Sequence, residues 1–118
     1  ERLKVNGLIH PIVISEFNSW ADKQDSKYVM NEAALHFESG NIRNLNKIIT
    51  VKAPETLRIN RILKRDNRSE EMIRKIIAQQ LSDDYKIQRS DFVIDNSENT
   101  PVIPQVLSVH HSILSQII

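Results

Sequence analysis

Lys47-Ile48-Ile49-Thr50-Val51 is the stretch on which the fold turns. Everything in it after the lysine is β-branched, stiff at the first side-chain torsion and suited to a pleated backbone. The run is short and without a polar alternation, so it predicts a strand buried on both faces. Pro54 follows at once and fits the first turn of a helix, where its missing N–H costs nothing. The strand is therefore expected to feed a helix that turns Leu57, Ile59, Ile62 and Leu63 inward. Two other segments have the same character. Tyr28-Val29-Met30 opens a run through Ala33-Ala34-Leu35, predicting a buried strand that leads into a loop. Phe92-Val93-Ile94 predicts a third, stopped by Asp95-Asn96.

Helical signals fill the spaces between. Leu8, Ile9, Ile12, Val13, Phe17 and Trp20 recur at helical spacing. With Pro11 among them, they predict a short helix before His10 and a longer one from about Pro11 to Asp22. Phe17 and Trp20 are assigned to the core rather than to base stacking. Asp66-Asn67-Arg68 breaks the helix that Pro54 begins. Ser69 is placed to cap the next, with Glu70 and Glu71 favourable in its first turn and Met72, Ile73, Ile76 and Ile77 as its apolar stripe. Ser82 is placed to cap a short helix through Lys86. After Pro101 and Pro104, a last helix shows Ile103, Val106, Leu107, His110, Ile113, Leu114 and Ile117 on one face. Apolar strands alternating with helices predict an α/β fold with a parallel sheet, and such sheets hold ligands beyond the carboxyl ends of their strands. Those ends are Asn31 to Glu38, Lys52 to Pro54, and Asp95-Asn96.

Composition bounds the function. The 118 residues suit one domain, 40% hydrophobic and 26% charged, with a core large enough to need no staples. No cysteine is present, which excludes disulfides and zinc–thiolate sites and is compatible with a reducing compartment. No stretch has the length of a membrane span, and Glu1-Arg2-Leu3 opens no signal peptide. The four histidines, His10, His36, His110 and His111, match no metal-binding pattern. Net charge is +1, but seven of the 16 basic residues fall between Arg58 and Lys75, offset there only by Asp66, Glu70 and Glu71. Such a cluster implies an anionic partner; the alternative is a pair of solvated helices laced with ion pairs. Within it, Arg61 and Arg65 lie four apart on one helix face, and paired guanidinium groups grip phosphate oxygens in a way lysine cannot copy.

Six segments, in order, resemble the dephospho-coenzyme A kinase family. Leu8-Ile9-His10-Pro11-Ile12-Val13 is similar to its Leu-His-Pro-x-Val segment, and Glu32 to Gly40 to its Pro-Leu-Leu-Phe-Glu-x-Gly strand and loop. Ile48 to Pro54 resembles its fourth strand and Arg61 to Glu71 its lid. Gln80 to Lys86 and Ser90 to Asn96 resemble its glutamine-to-lysine helix and final strand.

The resemblance implies a partial P-loop kinase-like parallel sheet of about three strands with flanking helices, the family's first two strands being absent. It divides the chain into part of a helical acceptor-substrate region (1–27), core strands (28–57), lid helices (58–90), and a last strand with its helix (91–118). It implies transfer of a phosphoryl group from ATP, with Mg²⁺, to the ribose 3′-hydroxyl of dephospho-coenzyme A in a cytoplasmic enzyme. Arg61 and Arg65 match the lid arginines near the ATP phosphates. Asn96 matches the adenine side, and His10, Asn31 and Glu38 the acceptor side. No catalytic residue and no metal ligand is assigned within these residues. The Gly-x-x-x-x-Gly-Lys-Ser/Thr loop does not occur, and the expected aspartate base would lie upstream. Where the family has Pro-Leu-Leu, Ala33-Ala34-Leu35 stands, with His36 before Phe37; where it has an arginine four residues before the glutamine, Ile76 stands, beside Arg74 and Lys75. Isolated, this chain is expected to be inactive. With the family's first strand absent from the middle of the sheet, its two neighbours are expected to pair directly, or the gap to be filled by a second copy of the chain. Two other readings stand: a basic-helix binder of nucleic acid or polyphosphate, and a non-catalytic interaction module.

Overall fold

A computed structural model describes residues 2–117, with side chains from residue 11 onward. Two compact units are distinguished, residues 2–33 and residues 34–116.

The first unit is one helix and a trailing segment. Helix α1 (Arg2–Asp22) runs through Pro11 without a break, so the expected two helices are one. Proline inside a helix removes one intrahelical bond and its ring crowds the carbonyl four residues back, at a cost of about 3 kcal/mol, yet α1 continues across Pro11. Ile12, Val13 and Trp20 of the expected core face are exposed, while Phe17 is half-buried with its ring 5.6 Å from that of Trp20. The expected strand from Tyr28 to Leu35 does not form. The segment is irregular, and Met30 is 65% exposed. A strand exists only through pairing, and no neighbouring backbone among the described residues offers it a ladder. Direct pairing of this segment with the next strand is therefore absent too.

The second unit holds the sheet. Helix α2 (His36–Ser39) is a single turn ended by Gly40, whose φ of 78° is positive; a 3₁₀ turn over Asn41–Asn44 follows. Strand β1 (Ile49–Lys52) pairs in parallel with β2 (Phe92–Asp95), Ile49 opposite Phe92 and Lys52 opposite Asp95. Among the described residues the sheet has two strands, where about three were expected. The ladder is bracketed at both ends. At the start, the Asp91 carboxylate accepts from the Ile48 N–H at 2.8 Å, and the Ile48 carbonyl accepts from Asp91 and Phe92. At the finish, the Asn96 N–H donates to the Lys52 carbonyl at 2.8 Å. The Asp95 carboxylate then accepts from the Ser97 N–H at 3.0 Å and turns the chain away.

Helix α3 (Glu55–Arg65) starts straight after Pro54, with Glu55 in its first turn and Lys64 and Arg65 in its last, the arrangement its dipole favours. Ser69 caps α4 (Glu70–Gln79) by accepting from the Met72 N–H, and Ser82 caps α5 (Asp83–Gln88) by accepting from the Tyr85 N–H, each at 3.2 Å. Ile59 of α3, Ile73 of α4 and Ile94 of β2 are the buried core, each contributing about 1.5–3 kcal/mol by burial. The core is thinner than the length suggests, because a two-stranded sheet offers helices little surface to cover. Leu63 and Met72, expected inward, are exposed at 39% and 53%.

Helix α6 (Val102–Gln116) packs along β2. Its expected apolar face begins one residue out of phase: Ile103, Val106 and Leu107 are exposed, and Val102, Gln105 and Val109 are turned in. Gln105 decides the phase. Its Oε1 accepts from the Asp95 N–H at 2.7 Å, and its Nε2 donates to the carbonyls of Asp95 at 3.0 Å and Pro101 at 2.7 Å.

Candidate functional site

Two cavities flank the inner side of α3. The larger, about 300 Å³, lies past the carboxyl end of β1 and is lined by Ala53, Pro54, Glu55, Arg58 and the Gln80–Asp84 segment, with Ile77. Parallel sheets hold ligands at this end because strand carbonyls finish there and helices begin. The smaller, about 130 Å³, lies between α3 and α4. Its polar lining is Arg58, Arg65, Arg68 and Gln80; its apolar lining is Ile62, Ile73, Ile76 and Ile77. Arg58, Ile77 and Gln80 belong to both cavities.

Local structure explains the convergence. Arg58 and Arg65 are seven residues apart on α3, two turns, so they share a face with Ile62 between them. The break at Asp66 folds Arg68 back beside them. Arg58 approaches Asp83 at 3.4 Å, while its Nε is buried without a hydrogen-bond partner. Asp66 takes two bonds from Arg65, at 3.2 and 3.4 Å, and stands 4.0 Å from Arg68.

The six site residues expected from sequence are distributed as follows. Arg65 lines the smaller cavity. Arg61, half-buried on the same helix, lines neither cavity and has no ion pair among the described residues. Asn96 is exposed beyond β2, tied by its backbone to Lys52, and lines neither cavity. Glu38 lies on α2, 3.2 Å from Lys86 Nζ of α5, with the two side chains 18% and 14% exposed. Both Glu38 oxygens are shielded from solvent. The lysine approach is not aligned as a hydrogen bond, so charge alone holds the pair, and Oε2 has no partner. Asn31 is half-buried in the irregular segment after α1, and His10 is on α1 with its side chain outside the described residues.

Sequence reasoning placed Arg58 only within the basic cluster and did not single out Lys86 for the site. The i, i+7 spacing of Arg58 and Arg65 around Ile62 was the available signal for the first. Lys86 was named only as the end of the Gln80 to Lys86 segment, and nothing local signals its pairing with Glu38, 48 positions away. Among the described residues, no three His, Asp or Glu side chains gather to hold a metal ion, and no helix is long and apolar enough to cross a membrane.

A parallel strand pair with helices beside it, a polar cavity past the end of β1 and a second between α3 and α4 define a small α/β chain. The sequence model of the dephospho-CoA kinase family matches residues 1–101. The dephospho-CoA kinase of Bacteroides fragilis is 40% identical over 107 residues, covering 90% of this chain and 52% of that protein. Those of Fusobacterium nucleatum subsp. nucleatum (38% over 96 residues; 81% and 50%) and Pseudoalteromonas translucida (31% over 107 residues; 91% and 51%) are similar in the same way. This chain belongs to the dephospho-CoA kinase family. It spans about half the length of the curated relatives it matches.

Proposed function

We propose that these residues form the acceptor-side and lid portion of an ATP-dependent kinase that phosphorylates the ribose 3′-hydroxyl of dephospho-CoA, completing coenzyme A in the cytoplasm. The family match over residues 1–101 carries this reading. The geometry supports it through the arginine-lined face of α3, since phosphoryl transfer depends mainly on positioning and on neutralising phosphate charge. In this reading Arg61 and Arg65 meet the ATP phosphates and Asn96 faces the adenine side. His10, Asn31 and Glu38 serve the acceptor, with Lys86 fixing the Glu38 carboxylate. Among the described residues no group of three His, Asp or Glu side chains could hold a metal ion, so magnesium would arrive on the nucleotide.

The glycine-rich phosphate cradle and the base are assigned to residues other than these. The 118-residue chain alone is therefore inactive. A binder of nucleic acid fits less well. The basic helices from Arg58 to Lys75 carry no interleaved aromatic residue and no nucleic-acid-binding motif.

A phosphoryl-transfer assay on dephospho-CoA tests the proposal. This chain should give no turnover, and a version extended to the relatives' length should turn over. In the extended protein, Arg65→Ala should lower kcat/KM about a hundredfold, the usual loss for one stabilising donor. An extended protein that binds ATP yet transfers nothing to dephospho-CoA overturns it.

A further inference from the structure

We propose that one face of α6 is a self-association surface, on which a second copy of this chain seats its own α6, antiparallel, across a two-fold axis. This goes beyond the kinase reading and uses none of the residues assigned there.

Spacing defines the seam. Ile103, Leu107, His110 and Leu114 follow one another by four, three and four residues, so they fall within a strip of the helix about 60° wide. Ile103 is 73% and Leu107 51% exposed, with Val106 exposed beside them; His110 and Leu114 are half-buried. The bonds from Gln105 to Asp95 hold the helix in this rotation, so the fold itself turns the apolar end of the strip outward.

The same spacing sets the orientation. Four, three, four reads alike from either end. An antiparallel copy therefore brings Ile103 opposite Leu114 of the second copy and Leu107 opposite His110, each twice, about an axis between positions 108 and 109. A parallel copy would instead set His110 against His110.

Charge selects the partner. α6 carries no Asp, Glu, Lys or Arg over its 15 residues, in a chain that is 26% charged. Nucleic acid, an anionic membrane surface or a charged peptide would find no countercharge on it. A neutral, apolar helix meets neither repulsion nor a stranded charge, and a second α6 is such a helix. α6 also begins just past the family match, which stops at residue 101, so this face is a property of the chain outside the matched segment.

Area permits the contact. The chain exposes 9363 Å², where a folded chain of its 13.7 kDa exposes about 6,600 Å². The surplus is well above the roughly 800 Å² that each partner buries in an interface of standard size.

Sedimentation equilibrium of the 118-residue chain, from micromolar to millimolar concentration, tests the proposal and should find a dimer. Leu107→Glu puts a carboxylate in the seam from both copies and should weaken association at least about tenfold. Val51→Glu, on β1, should leave it unchanged. Both side chains are exposed, so both variants keep the fold, which circular dichroism verifies. The chain has no cysteine, so Ile103→Cys and Leu114→Cys variants report the orientation. Mixed and oxidised, they should form a crossed disulfide dimer; alone, neither should, since its two thiols would lie about 16 Å apart along the helix pair. A monomer at millimolar concentration overturns the proposal. So does a dimer broken by Val51→Glu but not by Leu107→Glu, which would seat the second copy on the sheet, and so does cross-linking of either variant with itself in preference to the mixture. A version extended to the relatives' length should dimerise with the same sensitivity to Leu107→Glu; a monomer there makes the rest of that protein the occupant of the face and overturns the proposal too. The kinase reading is untouched by any of these results, because turnover of the extended protein decides it.

Discussion

The Gln105 side-chain amide closes a two-bonded ring on the backbone of Asp95, accepting from its N–H at 2.7 Å and donating to its carbonyl at 3.0 Å. A strand's last residue normally finds such bonds in a neighbouring strand. Here a helix supplies them, and so fixes both the end of β2 and the rotation of α6. Gln105→Ala should destabilise the chain by about 1–3 kcal/mol in urea denaturation, because a half-buried N–H and a C=O lose their partners together. Gln105→Glu keeps the acceptor but loses the donor, and should fall between alanine and wild type at neutral pH.

The Glu38–Lys86 pair joins α2 to α5 in a place where water barely reaches. Removing one charge strands the other, so Lys86→Met should cost about 3 kcal/mol, the order seen when a buried pair is broken. Lys86→Met combined with Glu38→Leu should recover most of that loss. A double-mutant cycle by urea denaturation measures the coupling directly.

The two serine caps serve different helices and share no partner. Ser69→Ala and Ser82→Ala should each cost about 1 kcal/mol, and the double variant about the sum. Denaturation midpoints of the three variants check this.

Asp95 is held below the usual carboxylate range. The Ser97 backbone N–H is the main cause, then the Ser97 side chain, with Lys52 and Thr100 adding smaller contributions against a small opposing effect of burial. A depressed folded pKa stabilises the fold above the unfolded value near 3.8, and that contribution is lost as pH falls through the lower folded pKa. Carboxyl-carbon NMR titration should therefore place the Asp95 midpoint below 3.8. In Ser97→Ala the midpoint should rise part of the way back, since the backbone donor remains.

Local chemistry made much of the fold legible. β-branched runs marked β1 and β2, and serine followed by acidic residues marked the starts of α4 and α5. The failures lie where the outcome depends on distant partners. Tyr28 to Leu35 has strand composition, yet composition supplies no neighbour to pair with. The face of α6 was read from apolar spacing, yet one glutamine outweighed Ile103 and Leu107 because Asp95 needed its backbone bonds satisfied. At the candidate site, Arg65 was visible as one of two arginines a helical turn apart. Arg58, which completes the cavity, was hidden because its role depends on α4 folding back across α3. Glu38 and Lys86 each fell within a resembling segment, but their pairing could not be read, since the two meet only in three dimensions.

Gly40, which ends α2 at a φ of 78°, has open space where a side chain would begin, with nothing within 4 Å of an added Cβ. The only obstacle to substitution there is chirality. L-Alanine would pay about 1–2 kcal/mol for a torsion its mirror image prefers. D-Alanine, installed by chemical synthesis, would meet no obstacle, and by restricting the unfolded chain should stabilise the fold by about 0.4–1 kcal/mol. One stereocentre at this turn would thus change sign, from a defect to a brace, without a new contact being made.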